Sequence, residues 1–495
     1  MTTFLVYWHY MNESKYTPKL MDIVSPRSIV VLLSLSALLP LLSLLTLGSP
    51  LLGVLVALTA WLVALIPSPW WLLVAVLAIR TLVDGGEYWF TITLGSFTVS
   101  AAQYLGVLIP ILTAVVLLRA RQRIFVPRVF VLYGSILVIG LASLAWSISP
   151  TATASDALRL VSILCIALLV PIAITSVARL EGLFWSLVIV SVAPSAVALA
   201  QVALGIGISD DAVAFARPFA TFSHPNTFAL YLVFTIMAAG FLWLRFRSFG
   251  ARTFLTLLIL TQGLLLLLTY TRIAWLSLAL SGTLALWHYR RVWLVPLVLL
   301  ASLVFLVPSI QNRVLEIFDT QPSSSTSWRQ GLWTDMYAKI RFDDREFLGN
   351  GFATFTLYAE DFRGSDLGSV DPHNDFIRFG VELGVLGVVL LSVVWVGIFR
   401  TLRRAYRTSA PGHDYIRLAW YTTLGIFLAS FSDNLFRDTI LQWYLIIFTV
   451  VAEIVPRLSP KAAKKGSSTP LYADPLMRTS VPSNVEPISK SLYSA

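Results

Sequence analysis

Long apolar runs dominate this chain. Residues 30–47, 101–118, 129–148, 158–177, 227–244 and 376–398 each approach the ~20 apolar residues needed to cross a bilayer core. Their hydrophobicity is continuous rather than alternating, which predicts helices and not barrel strands. With the weaker runs included, roughly 12 to 14 spans are expected. The fold class is therefore all-α, a polytopic transmembrane helix bundle. The pattern breaks once, at residues 309–375, which are polar yet rich in Trp, Tyr, Phe and Gly. Connections this long are usually functional or disordered. The expectation is one long extracytoplasmic loop containing short helices and part of the chemistry.

The same pattern divides the chain. Residues 1–27 read as a polar cytoplasmic segment, ahead of an uncleaved anchor rather than a signal peptide. Residues 28–308 form the first part of the bundle, 309–375 the loop, and 376–455 the last helices. Residues 456–495 are rich in Pro, Ser and Lys, as expected of a disordered cytoplasmic tail. Inside the loop, 321–327 is a Ser-rich lead-in. A helix is expected over 328–342, with Trp328, Leu332, Met336 and Ile340 on one face. That face has two candidate partners: the lipid interface, which suits Trp and Tyr, or apolar residues of the loop itself. Gly349-Asn350-Gly351 reads as a turn.

Composition agrees, with 57% hydrophobic and 13% charged residues. The net charge of +10 could suit nucleic acid or anionic lipid, but its placement reads as topology. Arg119, Arg121, Arg123 and Arg128 share one short loop, Arg245, Arg247 and Arg252 another, and Arg290 and Arg291 a third. Arg400, Arg403, Arg404 and Arg407 form a fourth group, while Arg457, Lys461, Lys464 and Lys465 follow the last span. Basic short loops mark the cytoplasmic side, and ordered threading puts every cluster there, with both termini inside. No nucleic-acid partner is expected. The single cysteine, Cys165, excludes an intramolecular disulfide.

Threading leaves residues 205–223, the turn at 269–272, the long loop, and the turn at 434–438 on the outer side. Three arginines there have no topological reason: Arg217, Arg272 and Arg329. Each alone could snorkel or pair with an acid such as Asp433 or Glu382. Together they suit a polyanion such as phosphate, because guanidinium offers a planar fork of donors and a charge that does not titrate away. His373 follows Asp371 and Pro372, residue types suited to an N-cap and first helical position. That places His373 in the first turn of the next helix, where the N-terminus disfavours imidazolium. Asp371 and Asp375 pull the other way. A neutral imidazole there is a candidate general base; a capping or interface histidine is the plainer alternative. No Cys or His spacing suggests zinc, and no GxxxxGK[ST] loop suggests a nucleotide, so no metal or cofactor is expected.

Several motifs recur in a familiar order. Arg217-Pro218-Phe219-Ala220-Thr221-Phe222 with Pro225-Asn226 comes first, followed by Thr269-Tyr270-Thr271-Arg272-Ile273-Ala274-Trp275. Trp328-Arg329, Leu348-Gly349-Asn350-Gly351-Phe352, His373-Asn374-Asp375-Phe376 and Glu382-Leu383-Gly384-Val385-Leu386-Gly387 complete the set. This order resembles the O-antigen ligase and polymerase superfamily of bacterial membrane glycosyltransferases, over about residues 130–450. Thr271 stands where the family has Ser, which keeps the hydroxyl.

The resemblance implies a GT-C-like bundle in the bacterial inner membrane, with its active site facing the periplasm or exterior. It implies metal-independent, inverting transfer of a glycan from an undecaprenyl-pyrophosphate carrier to a glycan or glycolipid acceptor. By the same resemblance Arg217 and Arg329 bind the pyrophosphate and His373 deprotonates the acceptor hydroxyl. Arg272 is structural or positions the donor, and Asn226, Asn374, Trp328 and Glu382 are carried over as substrate-binding positions. Ligase and polymerase share these motifs and stay open. Two other classes compete: a flippase or exporter of lipid-linked glycans, and a non-catalytic assembly protein. An exporter predicts midplane charges and paired broken helices, whereas the unusual charges here belong to the outer rim.

Overall fold

The computed structural model describes residues 38, 51–85, 91–94, 97–120, 124–209, 216–293, 306–315, 325–363, 370–408 and 412–458. The N-terminal segment, nearly all of the run at 30–47, and the tail from residue 459 lie outside these residues, as do Arg121, Arg123, Lys461, Lys464 and Lys465. Helices α1 (Leu51–Ala64) and α2 (Pro69–Val83) precede an antiparallel hairpin, β1 (Thr91–Leu94) and β2 (Phe97–Ser100), paired Thr91 to Ser100 and Leu94 to Phe97. There follow α3 (Ala101–Arg119), α4 (Arg128–Ala142), α5 (Pro150–Ala173), α6 (Val177–Val190) and α7 (Val192–Leu204). Next come α8 (Pro225–Arg245), α9 (Phe249–Leu268) and α10 (Arg272–Tyr289). The polar loop contains α11 (Pro308–Leu315), α12 (Ser325–Phe342) and α13 (Phe355–Arg363). The chain then returns to the bundle with α14 (Asp375–Tyr406), α15 (His413–Phe427) and α16 (Thr439–Ile454).

Among the described residues eight helical segments are long and apolar enough to cross a membrane, with α6 and α7 counted as one. Two further apolar helices, Leu52–Ala64 and Pro69–Val83, are shorter. This is an all-α polytopic bundle. Its centre can be read from burial: α16 is 89% buried, α8 83% and α5 67%, against 28% for the span beginning with α4 and 33% for α9. Helices apolar all round fill the middle, and those with an exposed apolar face meet lipid. Small residues bring backbones close where lipid offers no hydrophobic drive. A Cβ added to Gly425 of α15 would lie 2.4 Å from the Ser277 carbonyl oxygen of α10.

The loop is a small packed unit of its own. Leu332, Met336 and Ile340 bury against Phe355, Tyr358, Ala359 and Val381, with Trp328 at the edge. The apolar stripe of α12 therefore faces the loop's own core, not the lipid interface. The helix also begins at Ser325, three residues before Trp328, taking in part of the Ser-rich lead-in.

A break in α14 holds this unit to the bundle. Gly384 adopts φ 64° and ψ −156°, conformational space that belongs almost entirely to glycine. Backbone groups around the break bond the loop instead. The Val385 N–H donates to the Glu346 carbonyl at 2.7 Å, Gly351 N–H to Glu382 at 2.8 Å, and Asn350 N–H to Val381 at 3.1 Å. On its other side the same segment is stitched to the α4–α5 connection, where Ile148 N–H donates to the Asn350 carbonyl at 2.9 Å and Thr153 Oγ1 to Phe352 at 2.7 Å. The glycines of Gly349-Asn350-Gly351 and of Glu382–Gly387 are thus two halves of one joint. Gly384→Ala is expected to lose at least about 1–3 kcal/mol from backbone strain alone. The added methyl would also lie 2.3 Å from the Phe347 carbonyl carbon. A lower Tm in detergent, with faster proteolysis of the loop than of the spans, checks this.

Candidate active site

Four connections meet at one end of the bundle, and each is shaped by local backbone chemistry. After α7, Gly205 takes a left-handed cap and the chain forms a short antiparallel bridge between Ile208 and Arg217. Gln201 fixes the segment after that bridge. Its Oε1 accepts from the N–H groups of Phe219 and Ala220 at 3.0 and 2.7 Å, and its Nε2 donates to the Ala220 carbonyl at 3.0 Å. This clamp holds Ala220 at φ 55° and sets Arg217 against the start of α8. His224 is the N-cap of α8, its Nδ1 accepting from the Asn226 N–H at 3.1 Å, with Pro225 in the first turn.

Arg217 is buried and well bonded. Its Nε donates to the Thr269 carbonyl at 2.7 Å, and its Nη2 donates to Asn226 Oδ1 at 2.8 Å and Thr271 Oγ1 at 3.3 Å. These bonds brace the Thr269–Thr271 turn, where Tyr270 sits at φ 52°. The turn delivers Arg272 as the first residue of α10. Arg272 Nη1 donates to the Arg313 carbonyl at 3.2 Å, and Arg313 Nε donates back to the Tyr270 carbonyl at 3.4 Å. Helix α11 is thereby tied to the α9–α10 turn, and Arg313 joins the site.

The last connection carries His373. The N-cap of α14 is Asn374, not Asp371. Its Oδ1 accepts from the N–H groups of Phe376 and Ile377 at 2.9 and 3.1 Å. His373 therefore stands outside the first turn, in a left-handed conformation at φ 46°. Trp333 Nε1 donates to the Pro372 carbonyl at 2.7 Å, so α12 supports the approach to this residue. His373 Nδ1 lies 3.4 Å from Asp433 Oδ1. Burial pushes the Asp433 carboxyl up, but hydrogen bonds from His373 and from the Asn434 N–H hold the group below its ordinary range. Asp371 pairs instead with Arg437.

These pieces enclose one cavity of about 210 Å³. Four guanidiniums line it, from Arg217, Arg272, Arg313 and Arg329, and two imidazoles, from His224 and His373. Asn226 and Trp328 also reach its wall. The rings of His224 and His373 have centroids 6.2 Å apart. Burial drives the His224 pKa down to about 4, and the charge of Arg217 acts in the same direction against Asp433 and Asp371. Among the described residues no group of three or more His, Cys, Asp or Glu could hold a metal ion.

Two of the expected substrate-binding residues lie elsewhere. Asn374 spends its side chain on the helix cap and on the Phe431 carbonyl, to which Nδ2 donates at 3.0 Å. Glu382 is buried one turn after Arg378, its Oε1 2.9 Å from the Arg378 Nε. Arg378 also faces Asp156 at 3.7 Å, and Asp156 pairs with Arg159. Arg159 Nη2 donates to the Phe436 carbonyl at 3.0 Å, so this ion network fixes the turn that presents Asp433. Arg313, His224 and Asp433 are the residues that sequence reasoning did not assign to the site. A second histidine directly before the Pro225-Asn226 motif was the one available signal.

Geometry and family then meet. Residues 254–392 match the family model described as O-Antigen ligase. Over this segment the chain is similar to the O-antigen ligase family, and the eight long apolar helices among its described residues make it a multi-pass membrane protein. The matched segment contains Arg272, Arg313, Arg329 and His373, while Arg217, His224 and Asp433 fall outside it. No curated protein matches the chain.

Proposed function

We propose that the protein transfers a glycan from a polyprenyl-pyrophosphate carrier, of the undecaprenyl type, to a hydroxyl of a glycan or glycolipid acceptor. The reaction takes place at the outer face of the bacterial inner membrane and needs no metal. One observation supports this reading above others: four guanidiniums and His373, itself backed by Asp433, face a single cavity at one end of an apolar bundle.

The chemistry follows from charge. As the bond between the anomeric carbon and the pyrophosphate oxygen breaks, negative charge grows on the leaving group. Fixed cations then stabilise the transition state more than the ground state. Arg272, Arg313 and Arg329 are the groups we assign to the pyrophosphate. Arg272 opens a helix whose N-terminal dipole adds to the positive potential. Arg217, braced by Thr269, Thr271 and Asn226, mainly positions the Arg272 turn and adds charge to the wall. With Nδ1 turned to Asp433, His373 carries its proton there and keeps Nε2 as the acceptor. The acceptor oxygen forms the new bond to the anomeric carbon, its proton passes to His373 Nε2, and the pyrophosphate leaves from the opposite face. Such a single displacement inverts the anomeric centre.

The test is transfer by purified protein in detergent, with a polyprenyl-pyrophosphate-linked oligosaccharide and a hydroxyl acceptor, in the presence of excess EDTA. Glycosylated acceptor of inverted anomeric configuration is expected. Movement of the lipid-linked glycan across vesicles with no transfer would instead support an exporter and overturn the proposal.

A further inference from the structure

We infer that His224 is a second substrate-contacting imidazole, whose Nε2–H hydrogen-bonds the acceptor hydroxyl oxygen and turns its proton toward His373. This rests on the transfer reaction proposed above and names the residue that orients its acceptor.

Three features of the cavity carry the inference. First, the tautomer is fixed by the backbone. His224 Nδ1 accepts from the Asn226 N–H at 3.1 Å, so the lone pair of that nitrogen is committed and the ring proton resides on Nε2. His224 can donate to a ligand but cannot act as a base for it. Second, both rings line the same cavity, and their centroids are 6.2 Å apart at an interplanar angle of 46°. One hydroxyl oxygen between them can accept from His224 and donate to His373, which leaves one lone pair free for attack. Third, a helix cap alone does not call for imidazole. Ser, Thr, Asp and Asn are the preferred N-caps, because a short side-chain oxygen suffices. An imidazole at this position supplies the same acceptor through Nδ1 and a second polar atom facing the cavity.

The surroundings suit a neutral donor. Burial keeps the ring uncharged, so it adds no fifth cation beside Arg217. The two histidines therefore divide the work by tautomer. His373 presents an acceptor because its Nδ1–H is turned to Asp433, and His224 presents a donor because the Asn226 N–H fills its Nδ1 lone pair.

Two substitutions separate this role from the cap. His224→Asn keeps an oxygen where Nδ1 accepts and removes the distal donor. His224→Gln extends an amide N–H toward the Nε2 position. With purified protein, H224N is expected to keep the wild-type Tm and the KM for the lipid-linked donor. Its KM for the acceptor should rise roughly tenfold, the worth of one hydrogen bond, and H224Q should recover part of that loss. An unchanged acceptor KM in H224N overturns the inference. So does a fall in Tm with donor and acceptor KM rising together, which would leave His224 as a cap alone. Absence of transfer by the wild-type chain removes the proposed reaction itself, whereas normal transfer by H224N removes only this role.

Discussion

Replacing His373 by alanine is expected to lower the turnover of glycan transfer by about 10²–10⁴-fold, the usual contribution of a positioned general base. Binding of the lipid-linked donor should be unchanged, because the guanidiniums remain. Fold should be retained as well. His373 lies outside the first turn of α14, Asn374 caps that helix without it, and its left-handed backbone is anchored by Trp333 on the Pro372 carbonyl. Single-turnover transfer and equilibrium donor binding, measured on the same preparation, separate the two effects. Asp433→Asn should give a smaller loss of the same kind, since the amide still fills the space but no longer holds the proton on Nδ1. A His373→Ala protein with wild-type turnover would move the base to another residue.

Arg329→Ala and Arg272→Ala are each expected to reduce the single-turnover rate of transfer by about 10²–10³-fold, the range seen when one donor to a developing anion is removed. Lysine at either position should recover part of the loss but not all, because it keeps the charge and gives up the planar fork. Arg217→Ala should behave differently. That side chain holds Thr269, Thr271 and Asn226 together, so its loss should lower Tm along with activity. Thermal unfolding beside single-turnover kinetics distinguishes a phosphate contact from a brace.

The apolar runs made the bundle legible because membrane helices carry their signal in length and continuity alone. The hairpin at Thr91–Ser100 was not legible: two four-residue strands are too short to stand out between helical runs. The stripe of Trp328, Leu332, Met336 and Ile340 was visible at its spacing of four, but its partner was not. Spacing defines a face, whereas only the fold could show Phe355 and Tyr358 opposite it. The helix start before Phe376 was misplaced for a related reason. Asp371-Pro372 and Asn374 are both plausible caps, and the left-handed backbone of His373 decided between them. In the site, Arg217, Arg272, Arg329 and His373 were legible as polar residues that the topology pattern of basic loops left unexplained. Arg313 gave no such signal, being one basic residue in a loop that has several. Glu382 read as a binding residue because it is charged and belongs to a motif. Its motif instead serves the joint around Gly384, and its charge is met by Arg378.

Four arginines around a cavity of about 210 Å³ have a consequence for the end of the catalytic cycle. Under the proposed reaction, the free polyprenyl pyrophosphate carries more negative charge than the glycosylated donor did. The cations that ease its departure from carbon must hold the spent carrier more tightly than the loaded one. Turnover is then governed by egress of the carrier rather than by bond making. The enzyme should show a fast first round followed by a slower steady rate, and it should be inhibited by its own by-product unless a phosphatase clears the membrane.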